Sequence, residues 1–313
     1  MKNLLTIAAQ LSMDSFLSSA PGSLKERCAR FIRRILNRIG DPVIRIPVQQ
    51  GSIWAHLSHN LPVYRKHHVL YDSALRRFAE FTSHESLPLG VIDVGANIGD
   101  TAAMLMDIPE IKVLCVEGGI EFFDLLDRNA ALHPGRVTVE RSFLGRANSL
   151  VSGAMQSQEG TARFEKLDGA GTMKVETLTA LLERQRAFLD ARILKIDTDG
   201  YDCEILRGAI SWLAHAKPVI FMEFFPELLQ NVSDDYQDVF RALHEIGYDL
   251  TLAYKNTGEY FFSGHVGAVE FIPDLDYLTR MEFGPCYFDL FLFHADDLEL
   301  GRSFRSSELS VHS

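Results

Sequence analysis

Cysteine is scarce: four residues in 313, at positions 28, 115, 203 and 286, with no C-x-x-C pair among them. That spacing offers no cysteine metal site, and a chain long enough to bury a large core has no need of a disulfide framework. A reducing, cytoplasmic setting is the expectation. Long hydrophobic runs are also missing, since no stretch reaches the ~20 apolar residues that a membrane-spanning helix needs. The opening MKNLLTIAAQLSMD places one Lys before apolar residues, as a signal peptide does. Gln10 and Asp14 interrupt it, however, and no small-x-small cleavage site follows cleanly. Basic charge is in deficit, with 31 Lys and Arg against 42 Asp and Glu and a net charge of -11. Such a balance opposes non-specific binding to nucleic acid, and no nucleic-acid partner is expected. Internal repeats are absent, and the one biased segment is a Ser-rich polar tail from about Arg302, expected to fray.

What is present is an ordinary globular composition, 47% hydrophobic and 23% charged. The length suggests about two units. The pattern divides into an N-terminal helical and hairpin extension over 1–84, a sheet-based domain over 85–297, and the polar tail over 298–313. Within the extension, Leu24, Cys28, Phe31, Ile35 and Ile39 recur at helical spacing. Lys25, Arg27, Arg30, Arg33, Arg34 and Arg38 fill the other positions against a single Glu26. The pattern predicts a helix over 24–39 that packs on the body through its apolar stripe and leaves a basic face in water. The same residues also suit contact with a membrane surface or an anionic substrate. Two β-like runs flanking Gln49-Gln50-Gly51 predict a hairpin, and a helix ending near Phe81 follows.

From Leu89 the pattern alternates. Strands are expected at Val91–Val94, Lys112–Glu117, Val137–Arg141, Arg192–Asp197 and Pro218–Phe224, with helices at Asp100–Met106, Glu121–Leu132, Glu176–Arg184, Asp202–His215 and 234–246. Two late strands, Asp249–Tyr254 and Tyr287–His294, lack a long helix between them and predict an antiparallel edge. The fold class is therefore α/β: a doubly wound, mostly parallel, Rossmann-like sheet with helices on both faces.

Such sheets bind ligands beyond the carboxyl ends of their strands, so the first strand-to-helix turn, Asp93-Val94-Gly95-Ala96-Asn97-Ile98-Gly99-Asp100-Thr101, is the place to look. Gly95 permits a sharp turn and Gly99 a close helix start. A dinucleotide turn needs G-x-G-x-x-G. Here its second glycine is Asn97 and its third is Asp100, an acid that repels phosphate. A cationic ligand without phosphates, such as S-adenosylmethionine, fits better. Glu117 closes the next strand, where an acid accepts hydrogen bonds from ribose hydroxyls in adenosyl and NAD sites alike.

VIDVGANIGDTA, ILKIDTDGYDCEILRGA and FMEFFP resemble the signature blocks of FkbM-type methyltransferases, over roughly Leu61 to His294. The resemblance implies a class I methyltransferase-like fold and S-adenosylmethionine as cofactor. It also implies that Asp93, Gly95, Ala96, Asn97, Gly99 and Thr101 line the methionine end, that Glu117 and Gly118 hold the ribose, and that Ser142 borders the adenine. Asp197 would face the sulfonium and the acceptor hydroxyl. Two positions depart from the family pattern: Asp197-Thr198-Asp199-Gly200 stands for D-x-E-G, and Glu117-Gly118 for E-P.

Transfer of a methyl group to a hydroxyl needs alignment and removal of a proton. Asp197 leads as base or orienting group, and Glu223 comes second. The structural alternative pairs Glu223 with Lys195 as an ion pair. His67, His68 and His265 titrate near neutrality but read as surface or packing histidines. Asp197 and Asp199 would hold Mg²⁺ if any metal takes part, whereas Asp202 suits the first turn of the following helix. The rival function is a metal-dependent glycosyltransferase using the D-x-D at 197–199, which leaves the glycine turn without a task. An NAD(P) oxidoreductase and a non-catalytic scaffold are further alternatives. The resemblance implies a hydroxyl acceptor: a sugar, a glycan or glycolipid precursor, or a secondary metabolite. The basic helix points to the inner face of the cytoplasmic membrane. Tyr64, His68 and Tyr71 are candidate acceptor-wall residues, and a homo-oligomer is left open.

Overall fold

The structure, a computed structural model, describes residues 2–49, 51–84, 87–158, 161–166, 172–233, 235–281, 284 and 286–311, without the side chains of 2, 152–171 and 311. The extension begins with a helical hairpin, α1 (Lys2–Leu17) and α2 (Leu24–Gly40), followed by the expected antiparallel pair β1 (Val43–Val48) and β2 (Gly51–His56). Two helices, α3 (Leu61–His67) and α4 (Ser73–Ser83), lead into the sheet domain.

The helix α2 forms, but it is turned over relative to the sequence expectation. Its buried residues are Glu26, Ala29, Arg33 and Leu36, while Leu24, Cys28, Phe31, Ile35 and Ile39 face solvent. Polar anchors decide the orientation. Arg33 donates from Nε to the carbonyl of Leu57 (2.8 Å) and from Nη2 to those of Ser58 (2.8 Å) and His59 (2.9 Å), which satisfies the chain leaving β2. Glu26, wholly buried, accepts the Gly22 amide at 2.5 Å with Lys66 3.8 Å away. Burying these charges is tolerable only in an orientation that supplies such partners.

The sheet domain runs β3 (Leu89–Val94), α5 (Asp100–Leu105), β4 (Ile111–Glu117), α6 (Ile120–Ala130), β5 (Val137–Arg141), β6 (Phe143–Leu144), β7 (Ser149–Gln158), β8 (Thr161–Lys166), β9 (Thr172–Glu176) and α7 (Leu178–Arg184). It continues with β10 (Ile193–Ile196), α8 (Asp202–Ala216), β11 (Val219–Phe224), α9 (Pro226–Val232), α10 (Gln237–Glu245), β12 (Tyr248–Lys255), β13 (Tyr260–His265), α11 (Phe271–Thr279), β14 (Phe288–His294) and α12 (Leu298–Val311). The main sheet has the order β13-β12-β14-β11-β10-β3-β4-β5. The five strands from β11 to β5 are parallel neighbours. Buried strands such as β10 (Ile193-Leu194-Lys195-Ile196) read as near-continuous apolar runs because both faces are covered. One layer is formed with α7, α8, α10 and α11, the other with α4, α5 and α12.

Three expectations need correction. The antiparallel strand β14 is internal, inserted between β11 and β12, and the edge is a further strand, β13, hairpinned onto β12. The segment 148–172, to which the sequence assigned no strand or helix, contributes to a second sheet of order β6-β9-β7-β8, with 159, 160 and 167–171 outside the described residues. The tail does not fray over its described length. In α12, Leu300, Phe304 and Glu308 recur every four residues and are buried. Phe304 packs its ring against Phe78, Phe81 and Phe291 at centroid separations of 5.0, 5.5 and 5.7 Å, and Arg77 grips Glu308 with two hydrogen bonds of 2.7 and 2.6 Å.

Candidate cofactor and acceptor site

The site begins where β3 stops. Gly95 (φ +76°), Asn97 (φ +48°) and Gly99 (φ +81°) take left-handed backbone angles, and the Gly95 and Ala96 amides both donate to the carbonyl of Val116 on β4 (3.0 and 3.1 Å). A Cβ on residue 95 would lie 1.8 Å from the Asp197 carbonyl oxygen, so only glycine lets the ends of β3 and β10 approach this closely. At Gly99 the neighbour is Leu126 of α6, 2.8 Å from an added Cβ, which makes this glycine a packing residue. Glu117 ties the turn to β4, since its Oε2 accepts the Asn97 amide (3.0 Å) and its Oε1 the Gly119 amide (2.7 Å). Each oxygen keeps acceptor capacity.

A cleft of ≈ 390 Å³ opens over these ends. Of the residues singled out in the sequence, the structure brings Gly95, Asn97, Glu117, Gly118, Ser142, Asp197 and Asp199 together in its wall. Ala96 and Thr101 are buried, and with Gly99 they stand behind the wall. Asp93 lies deeper still, fully buried, with Lys195 Nζ 3.0 Å from its Oδ1. Sequence reasoning missed Phe143, Arg146, Met173 and Tyr201 on the same wall. Met173 comes from β9 of the second sheet, whose pairing nothing local in the sequence announced. Phe143 had a signal: a Cβ on Gly118 would meet its ring at 2.3 Å. A ring lying there explains why glycine follows Glu117.

Asp197 is about half exposed (48%) in the cleft, with Lys195 Nζ 3.3 Å from its Oδ2. The ion pair once considered for Glu223 is therefore made by Lys195 with Asp93 and Asp197. Burial works against the charge on Lys195, but Asp93 and Asp197 outweigh it and hold its pKa well above the usual lysine range. Glu223 is pushed well above the carboxylate range by burial and by Asp197, Asp202, Asp199 and Asp289. Asp289, its direct cross-strand partner on β14, is raised well above its range by burial and by Asp72 and Asp197. Two carboxyls facing each other cannot both ionise cheaply. Burial and this facing carboxyl thus favour the neutral form of Glu223. Asp72 is lifted to about 7 by burial and by Asp100.

Tyr71 joins this group. Its hydroxyl pKa is raised by burial and by Asp72, Asp197, Asp289 and Asp100, and Tyr287 feels Tyr71, Asp289, Glu223 and Asp197. Tyr64 stacks on Tyr71 at 5.3 Å and is about half exposed. His68 is exposed and ends α3 by donating its amide to the Tyr64 carbonyl, away from the cleft wall. His67 reaches Glu26 (3.5 Å) and His265 reaches Asp249 (2.8 Å), which accounts for both as packing or surface histidines. Asp202 opens α8 as expected and accepts the amides of Thr198 (3.2 Å) and Gly200 (3.1 Å), so it braces the 197–200 loop. Among the described residues no three His, Cys, Asp or Glu stand together as metal ligands.

Strand order and glycine turn together define a doubly wound α/β protein of the kind that holds a nucleoside cofactor at its switch point. The methyltransferase FkbM domain model matches residues 93–250, half of the chain and the stretch from β3 into β12. The chain belongs to the FkbM methyltransferase family. Membership implies a methyl donor of the S-adenosylmethionine type. Among solved structures, it is similar to a methyltransferase FkbM from Methylobacillus flagellatus KT at 13% identity, over 78% of this chain and 54% of that one, with a TM-score of 0.38. A putative O-methyltransferase from Klebsiella pneumoniae aligns at 11% identity over 71% and 80% of the two chains, with a TM-score of 0.39. For a putative transferase from Pyrococcus horikoshii the figures are 13%, 85%, 83% and 0.40. The chain spans about half the length of the first of these. No curated protein matches it.

Proposed function

We propose that the chain transfers a methyl group from S-adenosylmethionine to a hydroxyl of a sugar, a glycan or glycolipid precursor, or a secondary metabolite. The observation that carries this reading is the pinned Glu117 carboxylate in the same wall as Gly95 and Asp197. The site fits a cationic adenosyl ligand and opposes a phosphate-bearing one. Asp197, Asp199 and Glu204 are in the wall, and its one basic side chain among the described residues, Arg146, pairs with Glu204 at 3.4 Å. That argues against both the nucleotide-sugar and the dinucleotide alternatives, and no metal step is invoked.

In this reading Gly95 and Asn97 receive the methionine end, Glu117 accepts from the ribose hydroxyls, and Ser142 and Phe143 border the base. The bound donor would supply an electrophilic methyl on a sulfonium. Asp197 accepts the acceptor's hydroxyl proton, and the buried Lys195 beside it holds that carboxylate in place. Glu223 and Asp289, both held well above the carboxylate range, form with Tyr71 and Tyr287 a polar cluster whose electrostatics include Asp197, and such a cluster suits a hydroxyl-rich acceptor. Alignment of the hydroxyl is the larger contribution, worth up to ~7–11 kcal/mol, and the base adds ~10²–10⁴-fold.

The test is transfer of a tritiated methyl group from the cofactor to a panel of hydroxyl-bearing acceptors. Asp197→Asn should lower the rate by at least ~10² with cofactor affinity changed much less. Unchanged turnover in that variant removes Asp197 as the base. Phosphate-ligand binding with no adenosyl binding removes the function.

A further inference from the structure

We infer that the α1–α2 hairpin is a docking surface for an anionic lipid bilayer, lying in the interface without crossing it. The two helices pack against each other, with Ser12 Oγ donating to the Ala29 carbonyl at 3.1 Å and Lys25 Nζ donating to Ser18 Oγ at 3.0 Å. Both leave apolar side chains in water. Leu4 and Leu11 on α1 are 72% and 64% exposed, and Leu24, Phe31 and Ile39 on α2 are 76%, 64% and 64% exposed, with Ile35 at 43%. Single exposed apolar residues are unremarkable, but a continuous exposed stripe marks an interaction site. At 100° per residue the α2 set falls within one ~100° sector.

Charge identifies the occupant. Arg27, Arg34 and Arg38 fall within ~40° of one another, directly beside that sector. All three are exposed, and none has an acidic partner among the described residues. Residues 2–40 carry seven basic side chains and two acidic ones, in a chain whose net charge is -11. Of those two acids Glu26 is buried, which leaves Asp14 as the sole exposed one. A second copy of the hairpin would bring a single exposed acid, Asp14, to meet the arginine row. Anionic headgroups would neutralise it while Phe31, Leu24 and Ile35 enter the acyl boundary, the arrangement of an interfacial amphipathic helix. No described helix is long and apolar enough to cross a membrane. The orientation is held firmly, because Glu26 and Arg33 are the buried anchors that turn the apolar stripe outward. Docking of this kind is independent of methyl transfer.

The experiment is flotation of the full chain with vesicles of phosphatidylcholine alone and of phosphatidylcholine mixed with phosphatidylglycerol. Light scattering gives the oligomeric state in parallel. Binding to the mixed vesicles, falling with salt, is expected, with little binding to the neutral ones. Replacing Arg34 and Arg38 by Gln should weaken partitioning about fivefold for each residue, and Phe31→Ser about tenfold, with melting temperature unchanged because all three side chains lie in water. Three results overturn the inference: no binding to the mixed vesicles, binding indifferent to these substitutions, or a solution dimer that Phe31→Ser dissolves in a protein that ignores vesicles.

Discussion

Replacing Gly95 with Ala perturbs the point on which the cleft depends, and its cost can be worked from local geometry. The new Cβ would sit 1.8 Å from the Asp197 carbonyl oxygen and 2.8 Å from its carbon. An ordinary contact needs about 3.4 Å or more, so the ends of β3 and β10 must separate by well over 1 Å. That movement strains the bond from the Asp197 amide to the Val94 carbonyl, now 3.0 Å, worth ~1 kcal/mol. Holding a non-glycine residue at φ +76° costs a further ~1–2 kcal/mol, and overpacking a rigid site ~1–3 kcal/mol. Together these predict about 3–6 kcal/mol of destabilisation, seen as a fall in melting temperature of roughly 10 °C by scanning calorimetry. The displaced Asp197 and the shifted Gly95 both belong to the cleft wall, so binding of S-adenosylhomocysteine should weaken beyond detection even below the melting transition. A Gly95→Ala protein that melts with the wild type and binds the adenosyl ligand normally would refute this account of the turn.

Three further outcomes follow from the same geometry. Glu117→Ala removes the acceptor for the Asn97 and Gly119 amides and for two ribose hydroxyls; at ~1.5–2 kcal/mol per charge-assisted bond, titration calorimetry should show a roughly 10²–10³-fold loss of adenosyl-ligand affinity. Asp72, whose pKa rises from 3.8 to about 7, holds its proton in the folded state when the unfolded chain has lost it. Its contribution is therefore complete below about pH 4 and lost as pH rises to about 7. The ligand-free protein should melt higher at pH 5 than at pH 8, by on the order of 2–4 kcal/mol, and Asp72→Asn should flatten that slope. Arg77→Met leaves the buried Glu308 unpaired, which should cost ~3–5 kcal/mol in urea unfolding; a neutral result would mean that α12 is not docked as described.

The sheet was legible because its signal is local: its parallel strands are short apolar or β-branched runs ended by turn residues, and even the edge strand β5, Val137–Arg141, has the expected bounds. The glycine turn and Glu117 were legible for a related reason, since backbone chemistry at a strand end leaves a residue-type signature. Non-local pairing hid the rest. Nothing in Phe288–His294 says that it inserts between β11 and β12. Its register sets Asp289 opposite Glu223, and that contact helps to raise the pKa of a carboxyl that the sequence offered as a base. The helix α2 misled because periodicity reports which residues share a face, not which face meets the body. There the buried Arg33 and Glu26 overrode five apolar side chains. The C-terminal segment misled through composition: its serines suggested disorder, while three residues at four-residue spacing, Leu300, Phe304 and Glu308, carry the packing.

The central claim is that the turn at Gly95 and the carboxylate of Glu117 hold an adenosyl ligand without phosphates. Titration calorimetry of the intact chain with S-adenosylhomocysteine, a nucleotide sugar and NAD, each in turn, tests it most directly. One equivalent of S-adenosylhomocysteine should bind, Glu117→Ala should abolish or strongly weaken that binding, and neither phosphate-bearing ligand should compete. Binding of the nucleotide sugar or of NAD in its place would contradict the account.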